Sequence, residues 1–370
     1  MKRWMRAASL LLCLALLCGA AGAAVLPEAQ TVADAAAELG LSKPGKLLAA
    51  QEMVPAGTSA CDWLAMAFAL GGVQEEYDAY LSALSDYVQT QYEQQGCLDQ
   101  VKATEYQRIA LTVRVLGGDP TAFSKDADGN PVNLLADGAY NFAGDLGGQG
   151  LNGWIFALIA LDSGDYEVPA DAKYSRETIR NAIVDAQEPD GGFGLDTGDS
   201  DVDLTAMALQ ALAPYKEECG DTIEKALAYL AAQMNENCCF ASFDEENVEA
   251  SAQVVIALCA LGIDPEQDAR FTKGDRTLLT GIARFKMDDG LYCHALADGE
   301  SNLMASEQAV LALEAVERFH ADGGRLYDFT GWEGPEADSG SNAVVYIVIG
   351  AVVVLGAGIA GFIGKKRKKK

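Results

Sequence analysis

Arg114-Val-Leu-Gly-Gly-Asp-Pro120 returns further along the chain as Cys259-Ala-Leu-Gly-Ile-Asp-Pro265. Each stretch closes an apolar run with a glycine, which can take the left-handed conformation that stops a helix. A proline then follows, and it cannot continue one. A stop repeated in this form marks a repeated helix. Aligning outward from it gives six similar runs: CDWLAMAFALGG, TEYQRIALTVRVLGG, NGWIFALIALDSG, DLTAMALQALAPY, EASAQVVIALCALG and ASEQAVLALEAV. The aligned positions are Trp63, Tyr106, Trp154, Thr205, Ser251 and Ser306, spaced by 43, 48, 51, 46 and 55 residues. These runs are rich in Ala and Leu and apolar on nearly every side, as expected of buried helices.

A more amphipathic stretch precedes each run. The clearest are residues 75–92, 174–187, 221–233 and 276–286, with weaker examples at 32–39 and 133–140. Charges on one face and Leu, Ile or Tyr on the other suit an outer layer, and no segment alternates like a strand. An open solenoid of helix pairs needs polar-faced caps at its ends. Here the first and last inner runs are as apolar as the middle ones, which predicts a closed ring. The expected fold is all-α: an (α/α)6 toroid of six inner and six outer helices over residues 24–325.

The two ends read as targeting segments. Lys2, Arg3 and Arg6 precede a short apolar core and the small-x-small site Ala21-Gly22-Ala23, so residues 1–23 read as a secretory signal peptide. A linker is expected at 326–342. Residues 343–363 form an uncharged apolar run long enough to span a bilayer as a helix, followed by the basic tail 364–370. The positive-inside rule then places the tail in the cytoplasm and the domain outside, on a single-pass anchor in the cell membrane.

Three of the 27 Lys and Arg lie in the leading segment and six in the tail. The 18 others face all 54 acids in the middle of the chain, a net charge of −36 there. That argues against nucleic acid or an anionic membrane as a partner; it is compatible with a cationic or neutral ligand and equally with a surface whose charge serves solubility. Seven cysteines remain outside the leading segment. Their odd number, the lack of C-x-x-C spacing and the presence of only two histidines argue against a zinc framework.

Gln187-Glu-Pro-Asp-Gly-Gly-Phe193 resembles the Q-x-x-x-G-x-W/F motif of the prenyltransferase and squalene-cyclase repeat superfamily. Asp201-Val-Asp-Leu-Thr-Ala206 resembles the D-x-D-D-T-A signature of its terpene cyclases, and the run from Asn247 to Pro265 is similar to exported bacterial cyclase-like proteins. The resemblance implies the toroid over nearly the whole of the region between the ends. For a class II cyclase it implies Asp203 as the general acid, with Asp201 beside it. The next position, acidic in that signature, is Leu204 here. Protein prenyltransferases of the superfamily use a zinc site of Asp, Cys and His, and the only histidines are His294 and His320. Similarity to the helical domain of cobalamin carriers implies a corrinoid-like ligand. Gly96-Cys-Leu-Asp-Gln100 is similar to the thioester sequence of complement-type domains, with Cys97 and Gln100 at C-x-x-Q spacing and Leu98 in place of a glycine.

Asp199, Asp201 and Asp203 also have the D-x-D-x-D spacing that opens a calcium loop, but Leu204 and Gln210 stand where such a loop needs Gly and Glu. The alternative role for these acids is capping, because the free N–H groups and the positive dipole end of a helix favour Asp. In a ring of parallel inner helices all the N-termini gather at one mouth. Asn152, Trp154, Asp199, Asp201, Asp203, Glu249 and Gln253 are expected to converge there, with Tyr106 and Phe193 nearby. Aromatics and polar groups at a concave mouth define a binding site for a small molecule, peptide or glycan. The expected function is that of a ligand-binding surface protein without the full catalytic machinery. The alternative is a cyclase-type enzyme acting through Asp203.

Overall fold

The computed structural model describes residues 25–335 except 197, 243 and 244. The expected signal peptide and the expected membrane helix at 343–363 lie outside the described residues. Among the described residues, no helix is long and apolar enough to cross a membrane.

Six helices carry the aligned runs: α2 (Ser59–Leu70), α4 (Ala103–Val115), α5 (Asn152–Leu161), α7 (Val202–Leu212), α9 (Val248–Leu261) and α11 (Leu303–Asp322). The stretches before them supply α1 (Pro27–Glu38), α3 (Tyr77–Gln95), α6 (Arg176–Asp185), α8 (Gly220–Gln233) and α10 (Leu278–Ala283). The weak stretch at 133–140 becomes a single π-helical turn, Ala136–Tyr140. The chain is helix-rich, but it is not free of strands. Two antiparallel hairpins pair β1 (Phe123–Lys125) with β2 (Pro131–Val132) and β4 (Phe240–Ser242) with β5 (Glu245–Asn247); β3 (Gly148–Leu151) leads into α5. These pieces are too short for an alternating pattern to emerge from the sequence.

Local chemistry sets the helix ends. Asp201, Asn247 and Asn302 stand before α7, α9 and α11, each accepting a hydrogen bond from the first-turn backbone. Gly262 ends α9 at a φ of 81°, a left-handed value that a β-carbon disfavours. Between the caps the helices are filled with Ala, Leu, Ile and Val that lie in one continuous core. Such small and branched apolar side chains let the helices approach closely and bury most of their surface.

Inner helices contact one another in sequence order, and α11 returns to pack on α2, which closes the ring. They run parallel: Gln253 and Gln308, each two residues past its aligned serine, meet across α9 and α11, their amide groups 2.9 Å apart. Near the start of the ring, buried Arg108 of α4 donates to Asp62 of α2 at 2.9 Å and to the Gly57 carbonyl.

The body runs to Pro335, beyond the boundary at 325 expected from sequence. After α11 the chain turns back as a strap over the C-terminal ends of the inner helices. The Phe329 N–H donates to the Ser163 carbonyl and the Trp332 indole N–H to the Val115 carbonyl, both at 2.8 Å. Leu326, Tyr327 and Phe329 are buried. They read as linker because only four apolar side chains, these three and Trp332, anchor a segment otherwise rich in Gly, Asp and Glu.

Candidate functional site

The turns before four of the inner helices, α4, α7, α9 and α11, share one bond, clearest around α7. Gln187 at the end of α6 donates its amide to the Gly191 carbonyl at 2.9 Å and to the Thr222 carbonyl, at the start of α8, at 2.8 Å. Gly191 has a φ of 92°, and a β-carbon there would lie 2.7 Å from the Lys225 carbonyl oxygen. The Phe193 N–H then donates to the Thr205 hydroxyl at 2.9 Å. The same bond recurs from Phe240 to Ser251 at 3.2 Å and from Tyr292 to Ser306 at 2.8 Å. In α4 the Tyr106 hydroxyl does this work, accepting from the Leu98 N–H at 2.9 Å. The aligned hydroxyl is therefore a staple between turn and helix. Tyr106 and Phe193, expected near a ligand, are buried by this arrangement.

Asp201 is a cap. One carboxylate oxygen accepts from the Asp203 and Leu204 N–H groups at 2.8 and 3.2 Å, and the other accepts from the Ser242 hydroxyl at 2.8 Å. The Asp199 carbonyl lies close against Gly194, where a β-carbon would come within 2.0 Å of its oxygen. Among the described residues, no group of three or more His, Cys, Asp or Glu is arranged to hold a metal ion. Leu204 is buried in the core.

Asp203 differs from these two. It lies half-buried in the first turn of α7, and its Oδ1 is buried with no hydrogen-bond partner in the protein. Burial, then the neighbouring Asp201 charge, pushes its carboxyl up to about 7. Asn152, the equivalent residue on α5, also has a buried Oδ1 with no protein partner. Glu249, the equivalent on α9, is bonded to His294 Nδ1 at 2.9 Å, and His294 Nε2 lies 3.6 Å from Glu245. The bond to Glu249 raises the histidine above its ordinary value. Residues three and four apart share a helix face. The face that carries Asn152, Asp203 and Glu249 therefore continues inward to Phe156, Met207 and Gln253, all half-buried. Gln253 is held on both sides, accepting from Gln210 at 2.8 Å and donating to Gln308 at 2.9 Å.

The floor is aromatic. Trp63 of α2 lies 6.0 Å from Phe156 of α5, centroid to centroid. These helices are not ring neighbours, so the contact spans the lumen. Tyr327 reaches in from the strap to 6.2 Å from Trp63. Trp63, Phe156 and Tyr327 thus lie across the ring as a floor, and the side toward the helix N-termini, which carries Asn152, Asp203, Glu249 and His294, is referred to as the cup. In its wall, Glu307 of α11 is 1% exposed and has no protein partner for either carboxylate oxygen. Burial holds its carboxyl well above the usual range, and Glu249 and Asp62 on the two flanking helices add to the rise.

Trp154 is not part of this cup. Its ring packs edge-on against Tyr174 at 5.3 Å and lines a separate cavity of about 290 Å³ with Gly147, Ala182 and Leu195. Cys97 and Gln100 line another, of about 500 Å³, beside Tyr92, Tyr106 and Asp137. All seven cysteines of the described residues are free thiols. His294 and Glu307 went unselected in the sequence. His294 follows the turn of the last repeat by the same offset that puts Ser242 against Asp201, a signal open to a closer alignment. Glu307 is the only acid at its aligned position, where the other inner helices carry Leu, Gln, Ile or Ala.

No protein-family model matches the chain, and no curated protein matches it. The structure is similar to Candida albicans protein geranylgeranyltransferase-I complexed with GGPP, at a TM-score of 0.51 and 11% sequence identity. The match covers 79% of this chain and 92% of that one. At that identity the likeness defines the fold alone: a helix-rich protein with the architecture of the prenyltransferase-type α/α toroids.

Proposed function

We propose that the chain is a surface-displayed (α/α)6 toroid that binds a ligand in its cup, without the full catalytic machinery of the enzymes sharing its fold. A signal peptide at 1–23 and an anchor at 343–363 would present the cup outside the cell. The observation that carries this reading is the pair of buried, unpartnered oxygens of Asn152 and Asp203 at equivalent places on adjacent helices. Buried polar atoms are normally satisfied, so two at one mouth call for a hydrogen-bonding ligand. The ligand is a small molecule, peptide or glycan, and a corrinoid-like compound would be held at the rim.

The test uses the full chain recovered from growth medium, with retained compounds identified by mass spectrometry and cyanocobalamin and calcium titrated in parallel. A compound retained by the wild type and lost from Asp203→Asn and Asn152→Ala supports the reading. A wild-type chain that retains nothing and binds neither additive overturns it.

One observation favours a second reading, a cyclase-type enzyme. Asp203, the residue that the cyclase resemblance makes the acid, holds its proton near neutral pH above an aromatic floor. Leu204 argues the other way, since no second acid follows Asp203. Incubation with a linear polyprenoid such as squalene separates the two. Cyclised product that disappears in Asp203→Asn establishes the enzyme, and the absence of product removes it.

A further inference from the structure

The outer layer is incomplete at one repeat. Five of its elements are α-helices of 6 to 19 residues, but α5 is preceded only by the five-residue π-helical turn Ala136–Tyr140. Single π-turns are rare and are frequent at functional sites. This one backs directly onto α4: a β-carbon at Gly138 would lie 2.2 Å from the Tyr106 β-carbon. Beside the turn, against the end of α3 and the start of α4, lies the cavity of about 500 Å³. Ligand pockets span roughly 300–1,000 Å³. None of the floor or rim residues of the cup lines it.

Its walls are aromatic, with one carboxylate open to a ligand. Tyr106 and Phe142 meet edge to face, their centroids 6.0 Å apart. Asp137 is carried half-buried on the π-turn, and its Oδ2 accepts from the Tyr92 hydroxyl at 2.6 Å. That bond anchors the group by one oxygen; among the described residues, no donor is bonded to its Oδ1. The other acid of the lining, Asp99, is committed to its own turn, its Oδ1 accepting from the Val101 and Lys102 N–H groups at 2.8 Å each. No Lys, Arg or His lines the cavity. Lys173, beside the following loop, is spent on the Phe142 and Gly144 carbonyls at 2.9 and 2.6 Å. Burial accordingly raises the Asp137 carboxyl above its ordinary value, against the Tyr92 bond, which lowers it. An anchored carboxylate with one open oxygen, set among aromatic rings without a countercharge, is complementary to an ammonium group on an aromatic body.

We propose that this cavity is a second binding site, separate from the cup, and that it takes a small aromatic amine. The ammonium donates to Asp137 Oδ1, and the ring packs against Tyr106 and Phe142. The acidic surface of the chain draws cations toward it. Cys97 also lines the cavity, so an occupied site covers its thiol.

The probes are tryptamine, cationic at neutral pH, and tryptophol, its neutral alcohol counterpart, titrated by calorimetry into the full chain in detergent. Tryptamine is expected to bind about tenfold more tightly than tryptophol. Asp137→Asn, which keeps the shape and removes the charge, is expected to erase that preference and leave the alcohol bound as before. A second measurement needs no variant. Cys61 and Cys97 are the half-buried thiols among the described residues, and the other five are buried. Alkylation by iodoacetamide, followed by peptide mass spectrometry, is expected to slow several-fold at Cys97 when tryptamine is present and to be unchanged at Cys61. Equal binding of the two probes, a preference kept in Asp137→Asn, or slowing confined to Cys61 overturns the inference. So does unchanged alkylation of Cys97 at about 10 mM tryptamine, a concentration at which even a weak specific site fills. Each of these results leaves the cup reading standing, since that rests on Asp203 and Asn152.

Discussion

Asp201 and Asp203 are two residues apart and chemically alike, yet the fold gives them opposite work. Asp201 spends both oxygens on the first turn of α7 and on Ser242. Asp203 faces the cup with one oxygen unpartnered. Its carboxyl titrates near 7 in the fold against about 3.9 in an unfolded chain. The folded state therefore holds this proton more tightly than the unfolded state does. Below about pH 4 both states are protonated and the residue costs nothing; as pH rises toward 7 stability is lost, and the loss is complete above it. Asp203→Asn removes that loss. At pH 8 the variant is expected to be more stable than wild type by roughly 2–4 kcal/mol, the difference closing toward pH 4. Urea unfolding across that range checks it; parallel curves would exclude the assignment. The spacing of the acids was legible in the sequence, including the capping role. Which acid caps and which faces the cup was not, because both positions are first-turn positions until the neighbouring helices are in place.

At the scale of elements, the turns do more than connect. Gln187 joins three things at once: the end of α6, the glycine turn and the start of α8. The turn passes through a left-handed residue in three repeats, at Gly191 (φ 92°), Gly290 (φ 88°) and Cys238 (φ 54°). Cys238 accepts a strain that glycine avoids. Gly191→Ala introduces that strain and also drives a β-carbon to 2.7 Å from the Lys225 carbonyl oxygen. It is expected to cost roughly 1–3 kcal/mol, seen as a lower urea midpoint with an unchanged slope. An unaltered midpoint would show that the turn relaxes freely. The sequence marked the first of these turns through Gln187, Gly191 and Phe193; the other two lack the glutamine. It also aligned Tyr106, Thr205, Ser251 and Ser306, but the shared hydroxyl staple became visible only once the turns lay over the helices. Tyr106 and Phe193, expected near a ligand, are both buried through backbone pairing, and Tyr106 also lines the cavity beside Cys97 and Gln100.

For the whole molecule the governing feature is closure. The packing of α11 on α2 joins segments more than 200 residues apart in the chain. The Arg108–Asp62 pair, with the Tyr80 hydroxyl 2.8 Å from Asp62, pins the first two inner helices beside that seam. Arg108→Ala leaves Asp62 buried without its cation. It is expected to destabilise the fold by about 3–5 kcal/mol, measurable as a large fall in thermal midpoint. A fall no larger than that of an average surface substitution would mean the pair is dispensable. The strap adds the other long-range element, since Tyr327 becomes part of the cup floor only because the chain folds back after α11.

The inner helices, most of the outer ones and the repeat that predicts a ring were legible in the chain alone. Helix periodicity, stops and caps are properties of contiguous residues, and six copies make them unmistakable. What the ring encloses follows from how the helices pack. The pairing of His294 with Glu249, the contact of Trp63 with Phe156 across the lumen and the isolation of Glu307 each depend on residues 45 or more positions apart. A single aligned position shows which side chain each helix carries, but not what stands opposite it when the ring closes.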